Sequence, residues 1–454
     1  MSRAEVLIIG GGLAGSEAAW QAAERGVTVE LREMRPARMT PAHRGAGLAE
    51  LVCSNSFKSE VETTGSGLLK RELRALGGLL VELAAAARVP AGTALAVDRE
   101  RFSAAVEARL TAHPRIRLVR EEVAELPGDR PVLVATGPLT SDALAANLAA
   151  RLGTASLFFF DAIAPIVDAD TIDRERVFAQ SRYGHGDDYL NCFLDRATYL
   201  ELREALVHAE RAPLAHFDRE LLFEACLPVE ELAERGELTL AFGPLRPVGL
   251  VDPRTGRRPF AAVQLRAENQ ARTMFGLVGF QTRLRHGEQL RIFRRIPGLE
   301  QAQFLRLGSM HRNAFVDAPR LLGADLCVRG SDRLLIAGQL TGAEGYVEAQ
   351  STGFVAGVNL ARVARGEPPC SLPPETAIGA LCRHLATAPV RPFQPMNFNF
   401  GLLPPLDGGR GGRRARKQAQ VERAAAALDG AIASAPDWRV AEVAAAPARS
   451  SEDG

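Results

Sequence analysis

A strand–glycine–helix–strand unit at residues 5–36, a second strand–glycine–helix unit at 332–364 and a middle of mixed strand and helix patterning predict an α/β protein. The expected architecture is a Rossmann-type dinucleotide-binding domain built from both ends of the chain, with an α+β insertion domain between them.

The opening residues Glu5 to Ile9 are apolar after the first position, as a parallel strand covered on both faces should be. Gly10, Gly12 and Gly15 follow in G-x-G-x-x-G spacing, with Gly11, Leu13 and Ala14 completing the turn into an alanine-rich helix. Gly10 permits the tight turn, Gly12 lets a pyrophosphate reach the backbone, and Gly15 allows helix and strand to pack closely. The helix start offers free N–H groups and partial positive charge to phosphates. The helix runs to about Arg25 and stops at Gly26; "VTVELRE" is the second strand. Glu33 ends that strand, where its carboxylate can accept hydrogen bonds from ribose hydroxyls.

Two later segments favour FAD over NAD. "RPVLVATGPLT" (130–140) is a strand ending in Ala135-Thr136-Gly137. The 332–364 unit carries Gly338, Gly342 and Gly345 in its turn, then a long helix of small residues. In flavoproteins of the two-dinucleotide-fold type, such a late unit closes over the flavin. The expected division is an FAD-binding domain from 1–155 and 325–403, an insertion domain at 156–324, a basic loop and C-terminal helix at 404–440, and a disordered tail at 441–454. Within the insertion, "LFFFDAIAPIV", "LAFGPLRPVGLVDPRTGRRPFAAVQL" and "MFGLVGFQTRL" read as strands, while "DRATYLELREALVHAERA" and "RELLFEACLPVEELAERG" have helical spacing.

Hydrophobic residues make up 46% of the 454 and charged ones 24%, which suits a globular protein with a substantial core. A net charge of +1 excludes a global field toward nucleic acid or membrane, so any basic surface must be local. There is no apolar run long enough to span a bilayer and no secretory leader pattern, so the expected location is cytoplasmic. The six cysteines form no CxxC pair and the eight histidines no ligand spacing, which argues against a disulfide framework and against a metal site. Only three residues are lysine, so Lys58 and Lys70 stand out against the arginines.

Cys53 sits in "ELVCSNSFKS", a polar loop without an apolar face, where a thiol is poor core filler. Lys58 could favour its thiolate by charge. Cys226 ends the "RELLFEA" helical pattern before Pro228, and Cys192 in "YLNCF" is expected to be structural.

Together "IIGGGLAGSEAAWQAAERG", "LREMRP", "AELVCSNSFKS", "GLLKRELRALG", "RVPAGTALAVDRERFS", "FEACLPVEELAERG", "GFQTRLRHGEQLRIFRRIPGLE", "MHRNAFVDAP" and "GQLTGAEGYVEAQSTG" resemble the folate- and FAD-dependent tRNA (uracil-5-)-methyltransferases. The resemblance implies an enzyme that moves the methylene of 5,10-methylenetetrahydrofolate to C5 of a tRNA T-loop uridine, with FAD, and with NADPH or NADH as reductant. The related FAD- and folate-linked family that modifies the wobble uridine is the nearest alternative. Two departures touch substrate-loop detail: Ala225 precedes Cys226 where glycine is expected, and Phe193 follows "YLNC" where proline is expected.

Uracil C5 is a poor nucleophile. A thiolate added to C6 converts the ring to an enolate, and C5 can then attack an electrophilic methylene. Loss of the C5 proton and elimination leave an exocyclic methylene, which a hydride from reduced flavin converts to methyl. Cys226 is the expected attacker, with Cys53 as base or second thiol; the reverse assignment stays open. Gln281 and Arg283 in "GFQTRL", and His311 and Arg312 in "MHRN", are candidates for holding folate, and Lys58 for contacting substrate. Partners are then tRNA, folate and nicotinamide, with no membrane and no metal. A flavoprotein oxidoreductase acting on a small metabolite, or an FAD-holding RNA-binding scaffold, would also fit the bare motifs.

RNA needs a cationic track. Residues 283–312 hold seven arginines against Glu288 and Glu300, residues 246–272 hold six against Asp252 and Glu268, and "RGGRRARK" adds a third cluster. The expected outcome is tRNA binding that weakens steeply with added salt in a filter-binding titration; a flat profile counts against the cationic track.

Overall fold

The computed structural model describes residues 5–153, 157–184, 186–212, 227–388, 393–406 and 412–440, without the side chains of 157–163, 310–313 and 413. Cys226 and the 441–454 tail lie outside the described residues.

Short apolar strands build a five-stranded parallel sheet in the order Leu334–Ile336, Val132–Val134, Val6–Ile9, Val29–Glu33, Ile116–Arg120. Its central strand is buried throughout, as the sequence predicts. Both ends of the chain meet here, because the late strand pairs in parallel with Val132–Val134. The first helix, Leu13–Glu24, and the late helix, Tyr346–Ala364, pack backbone to backbone on this sheet. A Cβ on Gly353 would collide with the Ala14 backbone, and one on Gly357 would lie 2.7 Å from Ala18 Cα. The small residues of the late helix are there for that contact.

A six-stranded antiparallel sheet comes from the middle of the chain, in the order Val177–Ala179, Tyr189–Leu194, Ala261–Ala267, Met274–Leu277, Ile166–Asp168, Phe304–Arg306. Helices Arg196–Val207, Val229–Glu234 and His286–Phe293 accompany it. One hydrophobic core gathers residues between 6 and 148 with residues between 314 and 438; a second runs from Val167 to Ala302. The strands Leu157–Ile163 and Ser309–Phe315 pair with each other as a two-stranded antiparallel ribbon. Among the described residues, no helix is long and apolar enough to cross a membrane.

Several sequence expectations need correction. "LFFFDAIAPIV" is two strands in two different sheets, because Pro165 lacks the N–H that a continuous ladder needs. The 240–250 stretch is a short helix, Thr239–Phe242, and then turns, since Pro244 and Pro247 likewise remove donors. The basic cluster at 413–417 opens the Arg413–Ser434 helix rather than lying in a loop. Lys417 there donates to Thr63 O and lies over the Phe400 ring, so it serves packing.

Two buried glutamates tie distant helices together. Glu17 accepts from the N–H groups of Leu79 and Leu80, at the start of Leu79–Ala86. Glu72 accepts from Ala377 and Ile378, at 2.6 and 2.9 Å, at the start of Ala377–Thr387. Each carboxyl satisfies helix-end donors that have no carbonyl partner within the helix. Burial pushes Glu72 up to about 7. A folded-state pKa above the unfolded value gives stability that is complete below about pH 4.5 and lost as pH rises through 7. Glu72→Gln cannot ionise. Denaturant unfolding should therefore show the wild type losing stability relative to the variant from pH 5 to pH 8; a pH-independent difference would contradict the raised value.

Candidate functional site

The glycine turn is built as its spacing predicts. Gly10 adopts φ +103°, which a side chain would strain, and a Cβ on Gly15 would collide with Gly10 O. Gly12 has no atom within 4 Å of the place a Cβ would occupy, so its backbone faces open space in the cavity wall. The first-turn N–H groups of the Leu13–Glu24 helix have no carbonyl partner within the helix, which leaves them for an anion. Glu33 Oε2 accepts from Gly11 N at 2.8 Å, and Oε1 from the backbone N and Nε of Arg35 at 3.0 and 2.9 Å. Burial disfavours its charge, but the Arg35 contacts outweigh that and hold the carboxyl below its usual range. Oε1 is filled by its two donors, and Oε2, with one, keeps a lone pair for a ribose hydroxyl. The residues present therefore fit a dinucleotide.

A cavity of about 360 Å³ opens from this cradle. Gly10, Gly12, Glu33, Cys53, Gln281 and Tyr346 all line it. The Cys53 loop is thus beside the nucleotide cradle, at the wall facing the antiparallel sheet. Arg266 of that sheet donates to Asn55 Oδ1 at 2.8 Å and Ser54 Oγ at 3.2 Å, and Asn55 donates to Ala267 O. Arg99 donates to Leu51 O and pairs with Glu268 at 2.9 Å.

Tyr346, the first residue of the late helix, clasps the thiol loop. Its hydroxyl accepts from the N–H groups of Cys53 and Ser54, at 3.0 and 3.2 Å, and lies 3.0 Å from both Cys53 Sγ and Ser54 O. Two N–H donors fill both lone pairs, so the single phenolic proton is the one left to give, to Sγ or to Ser54 O. Burial pushes the phenol well above its ordinary value, which keeps that proton on the oxygen. Lys70 fixes the other end of the loop. It is fully buried, and its ammonium donates to Phe57 O, Lys58 O and Ser59 O at 2.6, 3.3 and 2.8 Å. Burial pushes it down to about 7. Lys58 lines the cavity with φ +62°.

Residues 5–368 match the family profile described as Glucose inhibited division protein A. The Geobacter sulfurreducens protein named methylenetetrahydrofolate--tRNA-(uracil-5-)-methyltransferase TrmFO is 58% identical over 426 residues, covering 93% of this chain and 98% of that one. This chain belongs to that methyltransferase family. A Moorella thermoacetica member is 57% identical over 404 residues, covering 89% of this chain and 92% of its own. The form I crystal structure of Aquifex aeolicus GidA shares the fold, with a TM-score of 0.70 at 18% identity over 96% of this chain and 77% of that chain.

The structure brings most of the expected site residues of this family member together, and separates others. Gly10, Gly12, Leu13, Ala14, Glu33, Gly338, Gly345, Cys53, Lys58 and Gln281 line one cavity. Gly11 and Gly15 support the turn from behind, and Gly342 faces Phe393. Arg283 is outside that lining; its Nε donates to Glu231 at 3.0 Å and its Nη2 also pairs with Glu231, which braces the Val229–Glu234 helix. His311 and Arg312 lie on the Ser309–Phe315 strand, opposite Asp161 and Phe160. Cys192 is buried in its strand, which pushes its thiol upward and suits a structural role. The basic tracks are thinner than their counts suggest, because Arg254, Arg285 and Arg291 pair with Asp252, Glu210 and Glu288.

Tyr346, Arg266 and the pinning role of Lys70 were missed, since each acts on residues far away in sequence. The scarcity of lysine was the available signal for Lys70; nothing local marked Tyr346. If its hydroxyl donates to the thiolate, Tyr346→Phe should slow iodoacetamide alkylation of Cys53 at pH 8 by about five- to ten-fold, the worth of one hydrogen bond. Mass spectrometry of the Cys53 peptide measures it, and an unchanged rate assigns the proton to Ser54 O.

Proposed function

We propose that the chain transfers the methylene of 5,10-methylenetetrahydrofolate to C5 of the T-loop uridine of tRNA and reduces it to methyl, in the cytoplasm, with FAD in the glycine cradle and NADPH or NADH as reductant. The observation that carries this reading is the single cavity shared by the glycine cradle, Glu33, Cys53 and Gln281. The uracil-5-methyltransferase relatives at 57–58% identity support the uracil-5 activity over the wobble-uridine alternative. Bound in the cradle, FAD supplies the hydride equivalents for the last reduction.

The chain's own residues supply the rest. Gly12 and the first-turn N–H groups take the pyrophosphate, and Glu33 orients the ribose. Cys53 and Cys226 are the two thiols: one adds to uracil C6, and the other takes the C5 proton. The described chain resumes at Leu227, and the Val229 N–H donates to the backbone oxygen of the cavity residue Gln281 at 2.7 Å. Tyr346 and Lys70 hold the Cys53 loop at its two ends, so the thiol is oriented before substrate arrives. Gln281 offers an amide to a pterin or pyrimidine edge. His311 and Arg312 remain candidates for the anionic tail of folate.

The test incubates the protein with unmodified tRNA, labelled methylenetetrahydrofolate and NADPH. Label should appear in 5-methyluridine, and Cys53→Ala or Cys226→Ala should each lower the rate by about 100-fold or more. Full activity in both variants overturns the thiol roles. NADPH oxidation independent of RNA, without labelled uridine, assigns a small-metabolite oxidoreductase instead.

A further inference from the structure

The antiparallel-sheet unit exposes aromatic rings outside the cavity. Phe242 is 79% exposed, Tyr183 57% and Val248 47%. They belong to one loop system. Arg182 donates to Pro244 O at 2.7 Å, Val251 N donates to Gln180 Oε1 at 2.9 Å, and the Cβ position of Gly249 is 2.8 Å from Tyr183 N. Tyr183 stands at φ +62°, a left-handed backbone that a tyrosine adopts only under constraint, and the constraint holds its ring out in solvent. The Arg246 guanidinium lies over that ring, 5.9 Å from its centroid.

The cations here differ from those in the rest of the basic tracks. Arg246, Arg257 and Arg258 are exposed, and none has a carboxylate partner among the described residues, whereas Arg254 next to them pairs with Asp252. Arg182 is held close to Arg246 with its buried Nε unpartnered. Unpaired bases stack on aromatic rings and guanidinium planes, and phosphates pair with arginine. A second copy of the chain fits this face poorly, because a two-fold contact would set the same unpaired arginines against each other.

We propose that Tyr183 and Phe242, with Arg246, Arg257 and Arg258, form a docking face for the unpaired bases and phosphates of an RNA hairpin loop. The inference rests on the tRNA reading above and names the surface that receives the RNA.

Filter binding of an unmodified tRNA transcript to the flavin-loaded protein tests it. Phe242→Ala and Tyr183→Gly should each weaken binding by about ten-fold, while Phe242→Trp and Tyr183→Phe keep it. Tyr183→Gly should melt no earlier than wild type, since glycine accepts the left-handed backbone, so lost binding there is not lost folding. Replacing Arg257 and Arg258 with Gln should lower the log–log salt slope by about two. If the wild type binds and methylates tRNA but the ring variants bind equally well, the docking face is wrong and the activity stands. If the wild type neither binds nor methylates tRNA, the activity reading fails and takes this inference with it. Sedimentation that shows a dimer lost in the ring variants, with RNA affinity unchanged, assigns the face to a second copy and overturns the proposal.

Discussion

The close approach of the first and late helices is the constraint on which the site depends. Gly353 and Gly357 let the late helix lie directly on the backbone of Ala14 and Ala18. Any larger side chain at either position would push the helices apart. With that contact made, the start of the late helix falls over the glycine turn, and Tyr346 reaches the thiol loop almost 300 residues earlier in the chain. The two ends of the sequence become one cradle through backbone packing, and the chemistry at its rim follows from that distance of approach.

The thiol loop is then held from three directions. Tyr346 takes its N–H groups, Lys70 takes the carbonyls of Phe57 to Ser59, and Arg266 reaches across from the antiparallel sheet to Ser54 and Asn55. A polar loop that satisfies so many of its backbone groups through buried side chains loses little further entropy when a ligand enters. That accounts for an ordered cysteine among serines and an asparagine.

The parts legible in the sequence were those whose physics is local. The strand, glycine turn, helix and Glu33 lie within about 30 residues, and each dictates the next. Cys53 stood out because the residues that follow it, Ser54 to Ser56, are polar. What failed to show were interactions between distant segments. Arg283 reads as a free cation in the sequence, whereas Glu231, on the Val229–Glu234 helix, pairs with its guanidinium. Counts of arginine along the chain overstated the basic surface for the same reason, as Glu210 and Asp252 neutralise Arg285 and Arg254. Pro165 was visible, yet a largely apolar run concealed that the chain changes sheets there. Tyr346 carried no mark at all, because its partners are set by the fold.

The two-stranded ribbon has a topological consequence. Ile163 and Ser309 are paired residues, so the chain leaves the parallel-sheet unit and returns to it at adjacent points, about 5 Å apart. The 145 residues between them hang from the parallel-sheet core as the loop of a single long hairpin. A two-residue turn could close that gap without reordering one parallel strand. Excision would spare the nucleotide cradle and Cys53, while deleting Arg266, Gln281 and Cys226 in one stroke. The nucleotide cradle is in this sense one unit, interrupted by a segment that enters and leaves it at a single point.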